Sequence, residues 1–466
     1  MKNKLPSWDE VYKDAEFGDV RRNVRAVKIA ETIENSYERS ASASFEDNAG
    51  LKAAFRFVNT PSVTPEKLLG KFIEWNFKGL KCTHALIVQD TTEFNYSWRK
   101  ELEGLGPVTK EGNQGFFLHP GIIVNPKNES VLGLASAYFW KRDGGNGNKG
   151  EREYHKKPIE EKESYRWLMV PEEIQKYTEG VSFTVVADRE ADIYELFLAQ
   201  KEGKFGRNTE LLIRAFQNRR ISGEEEKLFE LIKTWEVKGI QKIDIEASHK
   251  RKKREAKLEV RYGKVALLAP DKIKSRMPEE VEDVYVIDAT ETNTPAGEEP
   301  VSWTLLSTHK ISSLEDALEK IQWYKCRWFI EELFRILKSG YKVEKVKFDT
   351  GHALMNWCSL RLMMAVRLLY LLTMRDVEDK DSAVPFFSID EMELMENLEH
   401  RLISQNSKIR RPEKRSFAWA ILIISILGGY KVSPSAKPPG QESLWRGLDK
   451  LDVALLGFLS ATNKSG

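Results

Sequence analysis

The stretch that decides the fold is Tyr324–Lys338, which reads Tyr-Lys-Cys-Arg-Trp-Phe-Ile-Glu-Glu-Leu-Phe-Arg-Ile-Leu-Lys. No proline or glycine interrupts it and good helix formers fill most of it, so the sequence predicts one continuous helix. At about 100° per residue, Tyr324, Arg327, Glu331 and Lys338 share one face, and apolar side chains cover the other. Such a pattern is most often a solvated charged face. One acid among three donors that suit phosphate is, however, also what a metal-dependent nuclease needs.

Two further acids stand at the ends of predicted strands. Continuous apolar runs predict buried strands over 85–89 and 181–187, and these runs end at Asp90 and Asp188. An aspartate at a strand end is usually a turn residue or a helix cap. Between and after these runs the sequence predicts strands over 115–124, 131–140 and 211–214, and a helix that opens at Glu160. This order is that of an RNase-H-like domain, in which the first and fourth strands end in catalytic acids.

The spacing Tyr324-x2-Arg327-x3-Glu331-x6-Lys338, together with Asp90-Thr-Thr and Asp188-Arg-Glu-Ala-Asp-Ile, resembles the signature of bacterial DDE cut-and-paste transposases of the insertion-sequence-four family. The resemblance implies that Asp90, Asp188 and Glu331 are both the catalytic residues and the metal ligands. It also implies two Mg²⁺ or Mn²⁺ ions per active site. Three hard oxygen ligands agree with that metal, and no His/Cys cluster in the sequence competes for zinc.

The same resemblance implies DNA contacts. It assigns Tyr324, Arg327 and Lys338 to phosphates, Trp303 to a flipped base, and Arg214 to a basic position near the site. Near the N-terminus, Gly-Asp-x-Arg-Arg-x-x-Arg supplies Arg21, Arg22 and Arg25, which the family uses to grip the transposon end. The bland alternatives are a solvated basic stripe for the arginines and a core tryptophan for Trp303.

The expected architecture is α/β, with an RNase-H-like catalytic domain over 67–375. Helical domains flank it, for DNA-end binding over 1–66 and for dimerisation over 376–466, including the region of Trp445. The gap between Arg214 and the Glu331 helix is too long for an ordinary connection, so an inserted β domain is expected over 216–320. Within that domain two separate strands are predicted over 256–262 and 264–269. The basic run 250–254 is placed at a hairpin turn.

Composition narrows the class of protein. The 466 residues carry a net charge of only +2, so any phosphate binding depends on local clusters. Three scattered cysteines indicate a reducing compartment. The sequence shows no signal peptide and no apolar run that is long enough to span a membrane without a charge, so a cytoplasmic protein is expected.

The expected function is therefore DNA transposition by nicking, hairpin formation, hairpin opening and strand transfer. The partners would be double-stranded DNA, at the inverted-repeat ends and at the target, and a second copy of the chain. The alternatives are an RNase-H-like DNA nuclease without strand transfer and a non-catalytic DNA-binding derivative. A glycosidase with paired carboxylates is disfavoured, because the acids have phosphate-type basic partners.

Overall fold

A computed structural model of the chain describes most of its length. The described residues are 7–34, 41–45, 47–99, 102–142, 157–245, 253–271, 273, 277–375, 382–383, 386–403, 412–433 and 438–462.

One mixed sheet forms the core of the described part of the chain. Five of its strands lie in the order β5-β4-β1-β6-β7. Strands β1, β6 and β7 are parallel to one another, and β4 runs antiparallel to both of its neighbours, β1 and β5. Continuous apolar sequences make these strands because both faces of the sheet are covered. The order along the chain and in the sheet fits an RNase-H-like fold. In sequence order the strands are β1 His84–Gln89, β2 Thr92–Asn95, β3 Gly106–Pro107, β4 Gln114–Val124, β5 Val131–Trp140, β6 Ser182–Ala187, β7 Thr209–Arg214, β8 Gly239–Ile245, β9 Arg254–Leu268, β10 Glu280–Glu291 and β11 Ser302–Ser307.

The strands of the expected insertion continue this sheet instead of forming a separate one. β11 pairs antiparallel with β7, and β10, β9 and β8 follow in order. The prediction of two separate strands over 256–262 and 264–269 was wrong, because β9 runs unbroken for 15 residues. Gly263 lies inside β9, where a Cβ atom would come within 2.8 Å of the Trp235 ring. The glycine therefore marks a close packing contact and not a turn.

Helices cover both faces of the sheet and build the two ends of the chain. In sequence order they are α1 Trp8–Tyr12, α2 Val20–Glu34, α3 Asn48–Val58, α4 Pro65–Lys78, α5 Arg166–Ile174, α6 Tyr194–Lys201, α7 Leu228–Thr234, α8 Leu314–Lys325, α9 Trp328–Arg335, α10 Gly351–Met374, α11 Ile389–Leu402, α12 Phe417–Leu427 and α13 Gln441–Thr462. The helix predicted to open at Glu160 begins instead at Arg166, after two short 3₁₀ turns.

The helix predicted over 324–338 is broken in the structure, so the prediction of one continuous helix was wrong. α8 ends at Lys325, α9 begins at Trp328, and Ile336–Gly340 form a π-helical turn. At the break the Cys326 amide donates to the Trp323 carbonyl (3.1 Å) and the Arg327 amide donates to the Tyr324 carbonyl (3.0 Å). These i→i−3 bonds tighten the chain locally, as in a 3₁₀ turn.

α10 is the central core helix. By length and apolar composition it is the one described helix that could cross a membrane, yet 89% of its apolar stretch is buried inside the protein. The N-terminal helices pack on it through hydrogen bonds as well as apolar contacts. Asn356 donates to the Val58 and Val63 carbonyls, and Arg361 donates to the Ile33 carbonyl.

Trp445 on α13 packs inside its own chain. Its ring lies 6.0 Å from that of Tyr341 and covers Gly340, where a Cβ atom would have no room. Trp445 is therefore a core residue and not itself a dimer contact. The apolar side chains that α13 exposes lie further along, at Val453 and Leu456.

Candidate active site

The two aspartates lie side by side at one edge of the sheet. β1 and β6 are parallel neighbours, with Val88 opposite Val186. Asp90 and Asp188 each follow two residues later, so the pairing register brings the two strand ends together. Sequence reasoning placed both acids at these ends, and the sheet explains why they meet.

Glu331 joins them through Arg327. The Nη2 atom of Arg327 lies 2.5 Å from Oε1 of Glu331, one turn along the chain. Its Nη1 atom lies 3.8 Å from Asp188 Oδ2 and 3.9 Å from Asp90 Oδ2. The three acids predicted from the sequence therefore surround one guanidinium group.

The three acids are of the ligand type that binds a hard divalent cation. Within the described residues no three His, Cys, Asp or Glu side chains are close enough to form a complete metal cluster. The three carboxylates nonetheless surround the guanidinium of Arg327, so they already stabilise a positive charge at this position. Carboxylate oxygens suit Mg²⁺ and Mn²⁺.

Tyr324 and Arg214 add two donors to Asp188. The phenol of Tyr324 donates to Asp188 Oδ1 at 3.0 Å, and Nη1 of Arg214 lies 3.6 Å from the same oxygen. Burial, assisted by the Asp188 charge, raises the pKa of Tyr324 to about 12, so the phenol stays protonated and remains a donor. The expectation that Tyr324 stands on an open face was wrong, because its ring is buried and only the hydroxyl reaches the acids.

Of the three acids, Asp90 is the one whose ionised form is disfavoured by burial. Burial raises its pKa to about 6, although the Thr91 amide and Arg327 oppose that shift. Its Oδ1 atom accepts from the Thr91 amide at 2.7 Å. Near neutral pH Asp90 therefore loses its proton to solvent at little cost, and a cation held there would favour the deprotonated carboxylate.

The remaining residues expected on this face lie on its rim. Lys338, in the π-helical turn, has its Nζ atom 5.6 Å above the Phe94 ring. Trp303, on β11, is half-buried and meets the Tyr324 ring edge-on at 5.9 Å. Arg214 reaches the same strand, donating to the Ser302 carbonyl at 2.9 Å. Trp303 thus joins the site through Tyr324.

The three N-terminal arginines do not form one equivalent stripe. Arg21 is 87% exposed and pairs with Asp19. Arg22 points inward and donates to the Phe17 carbonyl and the Ser62 hydroxyl. Arg25 is partly exposed and makes no hydrogen bond or ion pair with any residue that the structure describes. Arg21 and Arg25 are therefore available to a ligand, whereas Arg22 holds the fold.

Sequence reasoning missed a basic groove beside the acids. It has a volume of about 530 Å³ and runs from the residue after Asp188 across the outer strands. Phe216, which is 59% exposed, offers an aromatic face there. The signal was available only in part, since Arg189 adjoins Asp188 in sequence but the other cations come from distant segments. Its charged and aromatic side chains are Arg189, Arg214, Phe216, Phe229, Lys233, Arg261 and Asp288.

Two other features of the surface lie outside this groove. Trp328, which follows Arg327, is 56% exposed although sequence reasoning did not single it out. Residues 250–252 of the basic run lie outside the described residues. Arg254, the last of that run, begins β9 and pairs with Glu291 and Glu298, so it is not a free phosphate contact.

Two stretches of the chain match models of known families. Residues 7–63 match the model described as transposase DNA-binding, and residues 172–367 match the transposase DDE domain. The second stretch contains Asp188 and Glu331. Over these two stretches the chain is similar to the DNA-binding domain and the DDE domain of transposases.

One solved structure similar to the chain is described as a cryo-EM structure of the piggyBac transposase synaptic complex with hairpin DNA. The sequences are 10% identical and the TM-score is 0.35. The similarity covers 88% of this chain but 65% of the other, so the chain spans less than two thirds of that protein. At this level it carries no conclusion about fold or activity.

Proposed function

We propose that this protein is a DNA transposase of the insertion-sequence-four type, which excises and inserts a mobile element by metal-dependent phosphoryl transfer. The observation that carries the proposal is the convergence of Asp90, Asp188 and Glu331 on the guanidinium of Arg327. It occurs in a chain that matches both a transposase DNA-binding domain and a DDE domain. Such an enzyme acts where the chromosome lies, in the bacterial cytoplasm.

Asp90, Asp188 and Glu331 would hold Mg²⁺ or Mn²⁺. When bound, two such ions supply activation of an attacking oxygen and neutralise charge on the phosphate. The protein's own contribution is position. The pairing of β1 with β6 fixes the two aspartates, and α9 brings Glu331 to them.

The basic groups around the acids would orient the DNA backbone. Arg327 and Arg214 carry fixed positive charge, and Tyr324 offers a hydroxyl that stays protonated. Lys338 stands on the rim. Guanidinium groups bind phosphate oxygens with defined geometry, so they suit the placing of one scissile phosphate. The groove that contains Arg189 and Phe216 would carry a neighbouring strand, because exposed cations and aromatic faces together bind unpaired nucleotides.

The reaction series would comprise a nick, attack of the freed 3′-hydroxyl on the opposite strand to close a hairpin, hairpin opening, and joining to target DNA. Trp303 would stack on the base that a hairpin tip forces out. Arg21 and Arg25 would contact the transposon end. Two copies of the chain would pair two ends, with the exposed apolar side of α13 at Val453 and Leu456 as the surface for that pairing.

The test uses duplexes from the DNA flanking the coding region, with Mg²⁺ present. We expect Asp90→Ala, Asp188→Ala and Glu331→Ala each to abolish cleavage and to leave gel-shift affinity nearly unchanged, because phosphate contacts supply most of the affinity. Glu332→Ala is the matched control, since Glu332 is the next residue and pairs with Arg335 instead.

Joining of a pre-cut end to plasmid DNA separates a transposase from a nuclease. Cleavage without joining would identify an RNase-H-like nuclease, and binding without cleavage in the parent would identify a non-catalytic derivative. Either outcome overturns the proposed function.

A further inference from the structure

Arg166, the first residue of α5, connects the two strand ends that carry the aspartates. Its Nε atom donates to Oγ1 of Thr91 at 2.8 Å, and its Nη2 atom donates to Oε2 of Glu190 at 2.7 Å. Thr91 follows Asp90, and Glu190 lies two residues after Asp188. One rigid, planar guanidinium therefore spans both ends.

Behind Arg166, a buried chain of hydrogen bonds continues into the sheet. Thr91 Oγ1 lies 2.8 Å from His119 Nδ1, and His119 Nε2 lies 3.0 Å from Gln89 Oε1. The Gln89 amide nitrogen then donates to the Trp167 carbonyl at 3.3 Å. His119 and Gln89 are fully buried, so water does not replace these partners.

The direction of every bond in this chain is fixed from both ends. Arginine can only donate, so Thr91 accepts from Arg166 and its own hydrogen is available to His119 Nδ1. At the other end, the Trp167 carbonyl can only accept, so Gln89 must turn its NH₂ group to it and its oxygen to His119. His119 therefore carries its proton on Nε2. Burial and the charge of Arg166 hold the pKa of His119 well below its ordinary value, which keeps the ring neutral.

We propose that Arg166, Thr91 and His119 are positioning residues that set the spacing between Asp90 and Asp188. The proposal rests on the proposed function of those acids, but it concerns residues that touch neither the metal nor the DNA. Asp90 Oδ1 already accepts from the Thr91 amide, so a shift of Thr91 moves the acid directly. Loss of a residue that holds a metal ligand in place typically changes metal affinity by about 10- to 100-fold.

The first measurement is the tautomer of His119, read from ¹⁵N–¹H correlations of the imidazole rings of the metal-free protein. The signal is assigned by its loss in His119→Gln. We expect a neutral ring with its proton on Nε2. A proton on Nδ1, or a charged ring at neutral pH, would overturn the fixed direction of the chain and with it the proposal.

The second measurement is Mn²⁺ affinity by calorimetry. Thr91→Val keeps the volume of the side chain and removes the hydroxyl, and we expect about tenfold weaker binding. Thr91→Ser retains the hydroxyl and is expected to bind as the parent does. Arg166→Lys, which keeps the charge but cannot reach both strand ends, should weaken Mn²⁺ binding as Thr91→Val does.

The outcomes separate the two proposals, since both measurements need no DNA and no turnover. If Thr91→Val and Arg166→Lys bind Mn²⁺ as tightly as the parent, the positioning role is wrong whatever the enzyme does. If Thr91→Val does not fold, Arg166→Lys with Thr91→Ser decides the question. If affinities and tautomer are as expected but no DNA is cut, the proposed function fails and the positioning role stands.

Discussion

The guanidinium of Arg327 contacts the carboxylate of Glu331 at 2.5 Å, one turn along the chain. The same group lies within 3.9 Å of Asp90 and Asp188, so it offsets part of the negative charge of the three acids. A cation that enters the site must compete with it. Arg327 consequently has two opposed effects, since it lowers metal affinity and would also hold a phosphate.

We therefore expect Arg327→Ala to bind Mn²⁺ more tightly than the parent, by about tenfold, which corresponds to about 1.4 kcal/mol. DNA cleavage should fall at the same time, because a phosphate contact is lost. Calorimetry and a nicking assay on the same preparation give both quantities. Arg335→Ala is the control, because Arg335 lies on the same helix and pairs with Glu332. Weaker Mn²⁺ binding in Arg327→Ala would show that the arginine assembles the acids and does not compete for them.

The raised pKa of Asp90 predicts a dependence of stability on pH. The folded protein holds the proton up to about pH 6, whereas the unfolded chain loses it near its ordinary value of 3.8. The folded state therefore binds more protons between these values, and the unfolding free energy falls as pH rises through about 6. At about 1.4 kcal/mol per pKa unit, the loss is at most about 3 kcal/mol.

Urea denaturation in EDTA at pH 4 and pH 7 measures this loss. Asp90→Asn cannot titrate, so its stability relative to the parent should rise by up to about 3 kcal/mol between the two values. Mn²⁺ affinity of the parent should rise with pH across the same range, because the ion requires the deprotonated carboxylate. A stability difference that does not change with pH would contradict the assignment to Asp90.

The structure divides the N-terminal arginines into two kinds and predicts different results for them. Arg21→Ala and Arg25→Ala should weaken end binding and flatten its salt dependence, with each lost phosphate contact lowering the slope by about 1. Their melting temperatures should match that of the parent. Arg22→Ala should instead lose about 1–3 kcal/mol of stability, because two internal acceptors lose their donor.

A salt titration of DNA binding and a thermal melt on each variant give these values. Lys28→Ala, an exposed charge on the same helix, is the control for a general loss of charge. If Arg21→Ala and Arg25→Ala keep the parent's salt slope, α2 presents only a solvated face.

The parts of the site that the sequence predicts well are those set by local patterns. Asp90 and Asp188 end apolar runs, and such runs become neighbouring parallel strands in this topology. The break between α8 and α9 was not predictable, because Cys326 and Arg327 are ordinary helix residues and the tightening depends on tertiary packing. For the same reason the internal role of Arg22 was missed, since Ser62 is distant in sequence.

The outer part of the sheet shows the same limit. The sequence predicts strands in the insertion, but nothing local in β11 indicates that it pairs with β7. The sequence predicts a break between two strands at Gly263, whereas its place against the Trp235 ring is a packing requirement. The series of hydrogen bonds from Arg166 to Gln89 could not be predicted from the sequence either, because its members come from three separate elements.

Trp303 has two alternative roles, as a residue of the core or as a surface on which a base stacks. It is half-buried, and its ring meets the Tyr324 ring 5.9 Å away, so it stands beside the acids and not deep in the core. A hairpin tip forces a base out of the stack, and an aromatic face recovers about 1–3 kcal/mol of the lost stacking. That is a factor of roughly 5 to 150 in the rate of one step. We therefore expect Trp303→Ala to keep the first nick, to slow hairpin formation by such a factor, and to melt close to the parent.

Single-turnover assays that resolve the nick from the hairpin test this expectation. Trp303→Phe, which retains an aromatic face, should restore most of the hairpin rate, whereas Trp303→Leu, which fills space without one, should not. Loss of a core tryptophan would instead cost about 3–5 kcal/mol and lower nicking and hairpin formation together. Rescue by leucine as complete as rescue by phenylalanine would make Trp303 a packing residue, because the two replacements share apolar bulk and differ in the aromatic face on which a base can stack.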